Sequence, residues 1–242
     1  MISLSSPEKY STLKVLKYNP LDKAIIAIDG YASTGKSTLS KRLSRHLGLP
    51  YIDSGAFFRG ITFLALKKGW IDNDNIYEEA IEMGIKDIKI YYNTKANKLI
   101  LNEIDITDVI RSKLVSSNVS KIAKLPFVRF LILKQQRLMG NSFGLVMDGR
   151  DIGTVVFPNA NFKFFFTARP EVRAQRRWEE MKANGTFLSY EEVLKNLLNR
   201  DKVDTERKVS PLKKANDAIE IDTSDLSLEE AFTILITEIN SK

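Results

Sequence analysis

Ala24-Ile25-Ile26-Ala27-Ile28-Asp29-Gly30-Tyr31-Ala32-Ser33-Thr34-Gly35-Lys36-Ser37-Thr38 decides the fold of this 242-residue chain. A short apolar run rich in isoleucine ends in Gly30. Four residues later stands Gly35-Lys36-Ser37, and a helix-period pattern begins. This is G-x-x-x-x-G-K-[ST] with a strand before it and a helix after it. A loop that wraps a phosphate must aim several backbone N–H groups at one anion, and Gly30 and Gly35 permit the angles and the close approach. The helix starting near Lys36 adds unpaired N–H groups and the positive end of its dipole. Lys36 would reach the β- and γ-phosphates, and the Ser37 hydroxyl would sit on Mg²⁺. The bland alternative is a glycine-containing turn, but pattern, flanks and position together favour phosphate binding.

Outward from this loop the chain alternates. Leu39, Leu43 and Leu47 form a helix stripe stopped by Gly48. Leu49-Pro50-Tyr51-Ile52 is extended and delivers Asp53-Ser54-Gly55 to a helix that carries Phe57, Phe58 and Arg59. A short helix is expected over Asn75–Met83. Between residues 85 and 111, Ile88, Ile90 and Tyr92, then Leu99 and Leu101, then Ile104 and Ile106 alternate with polar residues, the period of a small antiparallel meander. Helices are expected at 113–123 and 127–139, the second opened by Pro126. Leu145–Asp148 and Phe162–Thr167 read as buried strands, and Pro170 opens a basic helix to about Asn184. Ser189 and Glu192 form a capping box for a helix through about Asp201; Ser227 and Glu230 do the same for the last helix, after a strand at Ala218–Asp222. Apolar strands separated by helices imply a parallel sheet covered on both faces, with ligands at its carboxyl edge.

Composition narrows the chemistry. A chain of this length buries roughly 70–75% of its unfolded surface and needs no covalent staples. It contains no cysteine, which excludes thiol catalysis and fits a reducing compartment. His46, the single histidine, lies late in the first helix and reads as ordinary helix-end chemistry. The formal charge of +7 and pI near 9.4 suit an anionic small substrate; without long basic runs, nucleic acid is the weaker option. No apolar run approaches the ~20 residues of a membrane helix. Residues 1–22 are polar, lack a signal-peptide core and read as an extension ending at Asn19-Pro20, so no export is expected.

Charged groups gather at predicted strand and helix ends: Asp53-Ser54-Gly55-Ala56-Phe57-Phe58-Arg59, Arg129, Asp148-Gly149-Arg150-Asp151-Ile152-Gly153-Thr154, and Arg200 to Arg207. With the loop, the Asp-Gly-Arg-Asp-Ile-Gly-Thr-Val-Val-Phe-Pro block at 148–158 and Arg-Asp-x-x-Asp-x-x-Arg at 200–207, residues 24 to 240 resemble the bacterial cytidylate kinases. The resemblance implies an α/β, three-layer P-loop fold with a five-stranded parallel sheet. It also implies a nucleoside-monophosphate-binding insertion at about 55–125 that includes the meander, and a helical lid at about 170–190 with Arg173, Arg176 and Arg177. The phosphate loop, Gly30 to Thr38, would take ATP. Arg59, Arg150 and Arg207 would clamp the acceptor phosphate beside Ser54, planar guanidinia being suited to a dianion. Arg200 and Asp204 would hold the ribose; spaced i, i+4 and i+7, they share a helix face with Arg207. Asp151, Arg129 and Ser120 would read cytosine.

Lys36, Arg150, Arg176, Arg177 and Arg207 are the expected catalytic group, with Mg²⁺ on Ser37 and, through water, on Asp148; Asp29 is a further candidate for a Mg²⁺-bound water. Two departures stand out: Ala32 carries no hydroxyl, and Phe58 stands where the family usually has tyrosine. The expectation is a cytoplasmic, monomeric enzyme that phosphorylates CMP and dCMP with MgATP. Its rivals are a P-loop kinase for UMP, AMP or shikimate, and a nucleotide-dependent binding protein without turnover.

Overall fold

The computed structural model describes Leu21, residues 23–72 and residues 75–241; the predicted extension lies outside these apart from Leu21. In chain order the elements are β1 (Ile25–Gly30), α1 (Lys36–Leu47), β2 (Tyr51–Asp53), α2 (Ser54–Lys67), β3 (Ile71–Asp72), β4 (Asn75–Ile76) and α3 (Glu78–Gly84). There follow β5 (Ile90–Asn93), β6 (Lys98–Leu101), β7 (Ile104–Asp105), α4 (Lys113–Ile122), α5 (Pro126–Ser142) and β8 (Leu145–Gly149). A π-turn at Ile152–Val156 leads to β9 (Phe162–Thr167), α6 (Pro170–Ala183), α7 (Tyr190–Glu206), β10 (Ile219–Asp222) and α8 (Leu228–Asn240).

Five strands form one parallel sheet in the order β10-β9-β1-β8-β2, which sets β1 at the centre. Alternate residues feed two cores. Ile26, Ile28, Val146, Phe164 and Phe166 pack against Leu39 and Leu43 of α1 and Leu235 of α8. Ala27, Ile52 and Met147 pack on the other face with Phe57 and Ile61 of α2 and Val128 and Ile132 of α5. Both capping boxes form. Strands β5, β6 and β7 make the expected antiparallel meander; Ile90, Leu99, Leu101 and Ile106 turn inward while Ile104 stays exposed.

Two boundaries differ from expectation. Asn75 and Ile76 pair back onto Asp72 and Ile71 in a hairpin, so α3 begins only at Glu78. Helix α7 continues past Asp201 to Glu206, and Arg207 is its C-cap in extended backbone rather than part of the helical face.

Asp29 ties β1 to the π-turn. Its two oxygens accept the N–H groups of Ile152 (2.8 Å) and Gly153 (2.7 Å), which fixes the segment after Gly149-Arg150-Asp151. Both oxygens are thereby occupied by backbone, so Asp29 is a clasp and not the Mg²⁺-water ligand suggested by its place before Gly30. Burial pushes its carboxyl up to about 7, against the pull of the two amides. A buried carboxyl with a raised pKa stays protonated while its unfolded counterpart ionises, so it lowers stability as pH rises from about 4 to about 7. In denaturant unfolding across pH 4–8, the stability difference between Asp29→Asn and wild type should move in the variant's favour through that window; a flat difference would show that Asp29 ionises normally in the fold.

Candidate active site

The phosphate loop leaves the sheet where β1 ends against β9. Gly30 has φ +145°, and a Cβ there would overlap the Phe166 carbonyl oxygen. Gly35 caps α1 at φ +83°, leaving the first N–H groups of α1 facing the loop. Lys36 is buried and bends back to donate from Nζ to the Tyr31 carbonyl at 2.8 Å. Burial and then the charge of Arg150 lower its pKa, so an anion that restored its charge would be favoured.

Beside Lys36, Ser37 Oγ donates to Asp148 Oδ2 at 2.6 Å, and Tyr51 OH donates to Asp148 Oδ1 at 2.8 Å. Asp148 and Asp53 are register partners at the carboxyl ends of β8 and β2. Burial and then the charge of Asp53 raise the pKa of Asp148, against the pull of Lys36. Among the described residues no group of three or more His, Cys, Asp or Glu could hold a metal. A hydroxyl and one carboxylate instead suit Mg²⁺, which keeps several waters and shares its other positions with phosphate oxygens.

The second cluster stands across the sheet edge. Arg150 Nε donates to Asp204 Oδ2 at 2.8 Å, and Arg129 Nη2 to Asp151 Oδ2 at 2.6 Å. Arg207 lies between the two carboxylates, 3.6 Å from Asp151 Oδ1 and 3.6 Å from Asp204 Oδ1. Arg200, half exposed, is 4.0 Å from Asp204. Burial pushes Asp204 up, but Arg150, Arg200 and Arg207 outweigh it and hold the carboxyl below its ordinary range. Burial and then Arg129 lower the pKa of Arg207. Arg59 pairs with Asp53 at 2.6 Å, and the Ser54 hydroxyl lies so close to Gly149 that a Cβ there would collide with it.

The sequence candidates therefore divide. Lys36, Ser37 and Asp148 meet at the loop. Arg129, Arg150, Asp151, Arg200, Asp204 and Arg207 form one network, with Ser54 beside it. Ser120 is half-buried in α4, without a hydrogen bond to this network. Arg176 donates to the Thr223 carbonyl (2.7 Å) and hydroxyl (3.2 Å), and Arg177 pairs with Glu180, so neither points at the loop in this conformation. Arg173 is buried and paired with Asp201 at 2.7 Å.

Beside the Arg129–Asp151 pair opens a cavity of about 220 Å³, walled by Phe58, Phe130, Leu133, Val156 and Val209 and also lined by Gln136. The Phe58 ring lies 5.2 Å from the Arg129 guanidinium, so the missing tyrosine hydroxyl leaves a cation–π face.

A family model described as cytidylate kinase matches residues 26–241. A cytidylate kinase of Flavobacterium psychrophilum is 48% identical over 91% of this chain and 100% of its own length; one from Phocaeicola vulgatus is 48% identical over 87% and 93%. The chain belongs to the cytidylate kinase family. A crystal structure of an uncharacterized protein from Eubacterium ventriosum, 15% identical, superposes with a TM-score of 0.50 over 91% of this chain and 99% of that one, a likeness of fold alone.

Membership in the cytidylate kinase family implies ATP as the phosphoryl donor. The sequence alone gives no role to Tyr51 and no partner to Asp53. Tyr51 could have been found from its position two residues before Asp53-Ser54-Gly55; Asp53 was quoted in its motif without a partner. Tyr51→Phe removes one of the two side-chain hydrogen bonds that orient Asp148. In initial-rate kinetics it should raise KM for MgATP or lower kcat by about tenfold, the order of one hydrogen bond to a charged group, with KM for the acceptor unchanged. An effect confined to the acceptor would place Tyr51 on the other side of the site.

Proposed function

We propose that this chain transfers the γ-phosphoryl group of ATP to CMP or dCMP, yielding ADP and CDP or dCDP. The observation that carries the reading is the pairing of Arg129 with Asp151 at the wall of an apolar cavity, continuous with a second carboxylate-held set of guanidinia. Such a site offers a flat ring an acceptor and a donor, and offers a dianion planar cations.

The phosphate loop, Gly30 to Thr38, would hold the ATP phosphates, with Lys36 on the transferring group. Ser54, Arg59, Arg150 and Arg207 would hold the acceptor phosphate, Arg200 and Asp204 the ribose, and Ser120, Arg129 and Asp151 the cytosine. An oxygen of the acceptor phosphate attacks the γ-phosphorus, and the bond to the bridging oxygen breaks with its electron pair leaving on ADP. The acceptor is already anionic and needs no general base; the protein's work is alignment and screening of charge. Arg59 must leave Asp53 to meet the phosphate, and Arg176 and Arg177 must leave Thr223 and Glu180. Mg²⁺ held by Ser37 and, through water, by Asp148 would neutralise charge on the phosphate oxygens. We assign residues 23–242 to the kinase domain, about 55–125 to the acceptor-binding lobe and about 170–190 to a lid, whose closure would exclude water. Residues 1–22 are assigned to an N-terminal extension. A cytoplasmic monomer completes the proposal. Within the described residues no helix is long and apolar enough to cross a membrane.

ADP release from MgATP, measured with CMP, dCMP, UMP, AMP, GMP, shikimate or no acceptor, tests the reading. Fast turnover is expected with CMP and dCMP alone; another preferred acceptor would overturn the base assignment, and none would leave a nucleotide-binding protein. Lys36→Ala should lower kcat by about 10²–10³, as for loss of one preorganised donor. Asp151→Asn should cut kcat/KM for CMP more than for UMP by about 10- to 100-fold, the order of one base-edge contact; equal losses would remove Asp151 from base reading.

A further inference from the structure

Gln136 stands apart in this site. It is 2% exposed, lies two turns beyond Arg129 on α5 and lines the same cavity, yet its amide nitrogen has no hydrogen-bond partner among the described residues. Several nearby acceptors are already engaged elsewhere. Asp151 is bound by Arg129 and approached by Arg207. The carbonyls of Val155 and Val156 accept from Arg137, the residue next to Gln136. Arg129 itself has a buried Nε without a partner. The rest of the wall is mostly apolar, with Phe58, Phe130, Leu133, Val156 and Val209, and Ser210 is its further polar residue. The buried amide nitrogen thus carries the cost of a polar group left unmatched.

An amide presents one acceptor and a two-proton donor side by side. One edge of cytosine presents the reverse, an amino group beside a ring nitrogen. We propose that Gln136 is a base-reading residue of this kinase, its amide accepting from the cytosine amino group and donating to the adjacent ring acceptor. The inference rests on the CMP reading and adds to it a contact that neither Asp151 nor Arg129 supplies. Asp151 can only accept, and Arg129 can only donate. Gln136 can do both from one amide plane, and because it is neutral its contact carries no ion-pair cost. Phe58, on α2, supplies an aromatic face to the same cavity.

The test is a cycle between enzyme and substrate. Wild type and Gln136→Leu are compared on CMP and on its 4-deamino analogue, the 2-pyrimidinone riboside monophosphate, with thermal unfolding measured in parallel. Gln136→Leu is expected to fold with an unchanged or higher unfolding midpoint, to raise KM for CMP about tenfold and to leave KM for ATP unchanged. On the 4-deamino analogue the same substitution should cost less than half as much on a logarithmic scale. An unchanged KM for CMP, or an equal penalty on both acceptors, overturns the assignment. If Gln136→Leu does not fold, Gln136→Met, unbranched and of similar length, takes its place with the same expected readings. Wild-type enzyme that turns over UMP or AMP but not CMP defeats the function proposed above rather than the role of Gln136 alone, and the wild-type arm shows this before any variant is compared.

Discussion

Four guanidinia share two carboxylates. Arg129 and Arg207 converge on Asp151, and Arg150, Arg200 and Arg207 on Asp204, at 2.6–4.0 Å. The set carries two positive charges more than it can neutralise internally, most of them out of water. Such an arrangement is costly unless something binds to complete it, and a phosphate monoester brings about −1.5 to −2. The rest of the cluster follows. Asp151 and Asp204 hold the arginines apart in fixed positions before substrate arrives. The clasp of Asp29 on the π-turn fixes where Arg150 and Asp151 leave β8. The extra turn of α7 brings Asp204 to the sheet edge. Taking away either carboxylate would strand several cations at once.

What was legible in the sequence is what depends on neighbours along the chain. The phosphate loop, the two capping boxes, the period-two meander and the strand at Phe162–Thr167 are each specified by residues close together along the chain. Hydrophobic period and cap chemistry act at that range. The 148–158 block and the 200–207 repeat were legible only through resemblance, because a run of charges is by itself equally a solvated surface. The fold then joined them at Arg150 and Asp204, residues 54 positions apart.

The rest was hidden because long-range contacts decided it. Nothing local distinguishes Asp29 as a clasp from Asp29 as a metal-water ligand; the difference lies in the amides of Ile152 and Gly153, over 120 residues away. Helix α7 outruns its expected end because Asp204 is held from outside by Arg150, and because Thr205 bonds back to the Asp201 carbonyl. Gln136 looks like one more polar position beside Gln135 and Arg137. Only the packing of α5 against the π-turn turns it inward.

Thr223, just after β10, ties distant parts of the molecule through one side chain. Its backbone N–H donates to the Thr167 carbonyl at 2.9 Å, and its hydroxyl lies in donating reach of two carbonyls, Thr34 at 3.0 Å and Thr167 at 3.2 Å. The same oxygen accepts from Arg176 of α6 at 3.2 Å. Donor feeds acceptor in series, from a cationic helix through a hydroxyl into a peptide of the phosphate loop. Each bond in such a relay polarises the next. The Thr34 carbonyl is thereby linked to the charge of Arg176 through a single shared oxygen.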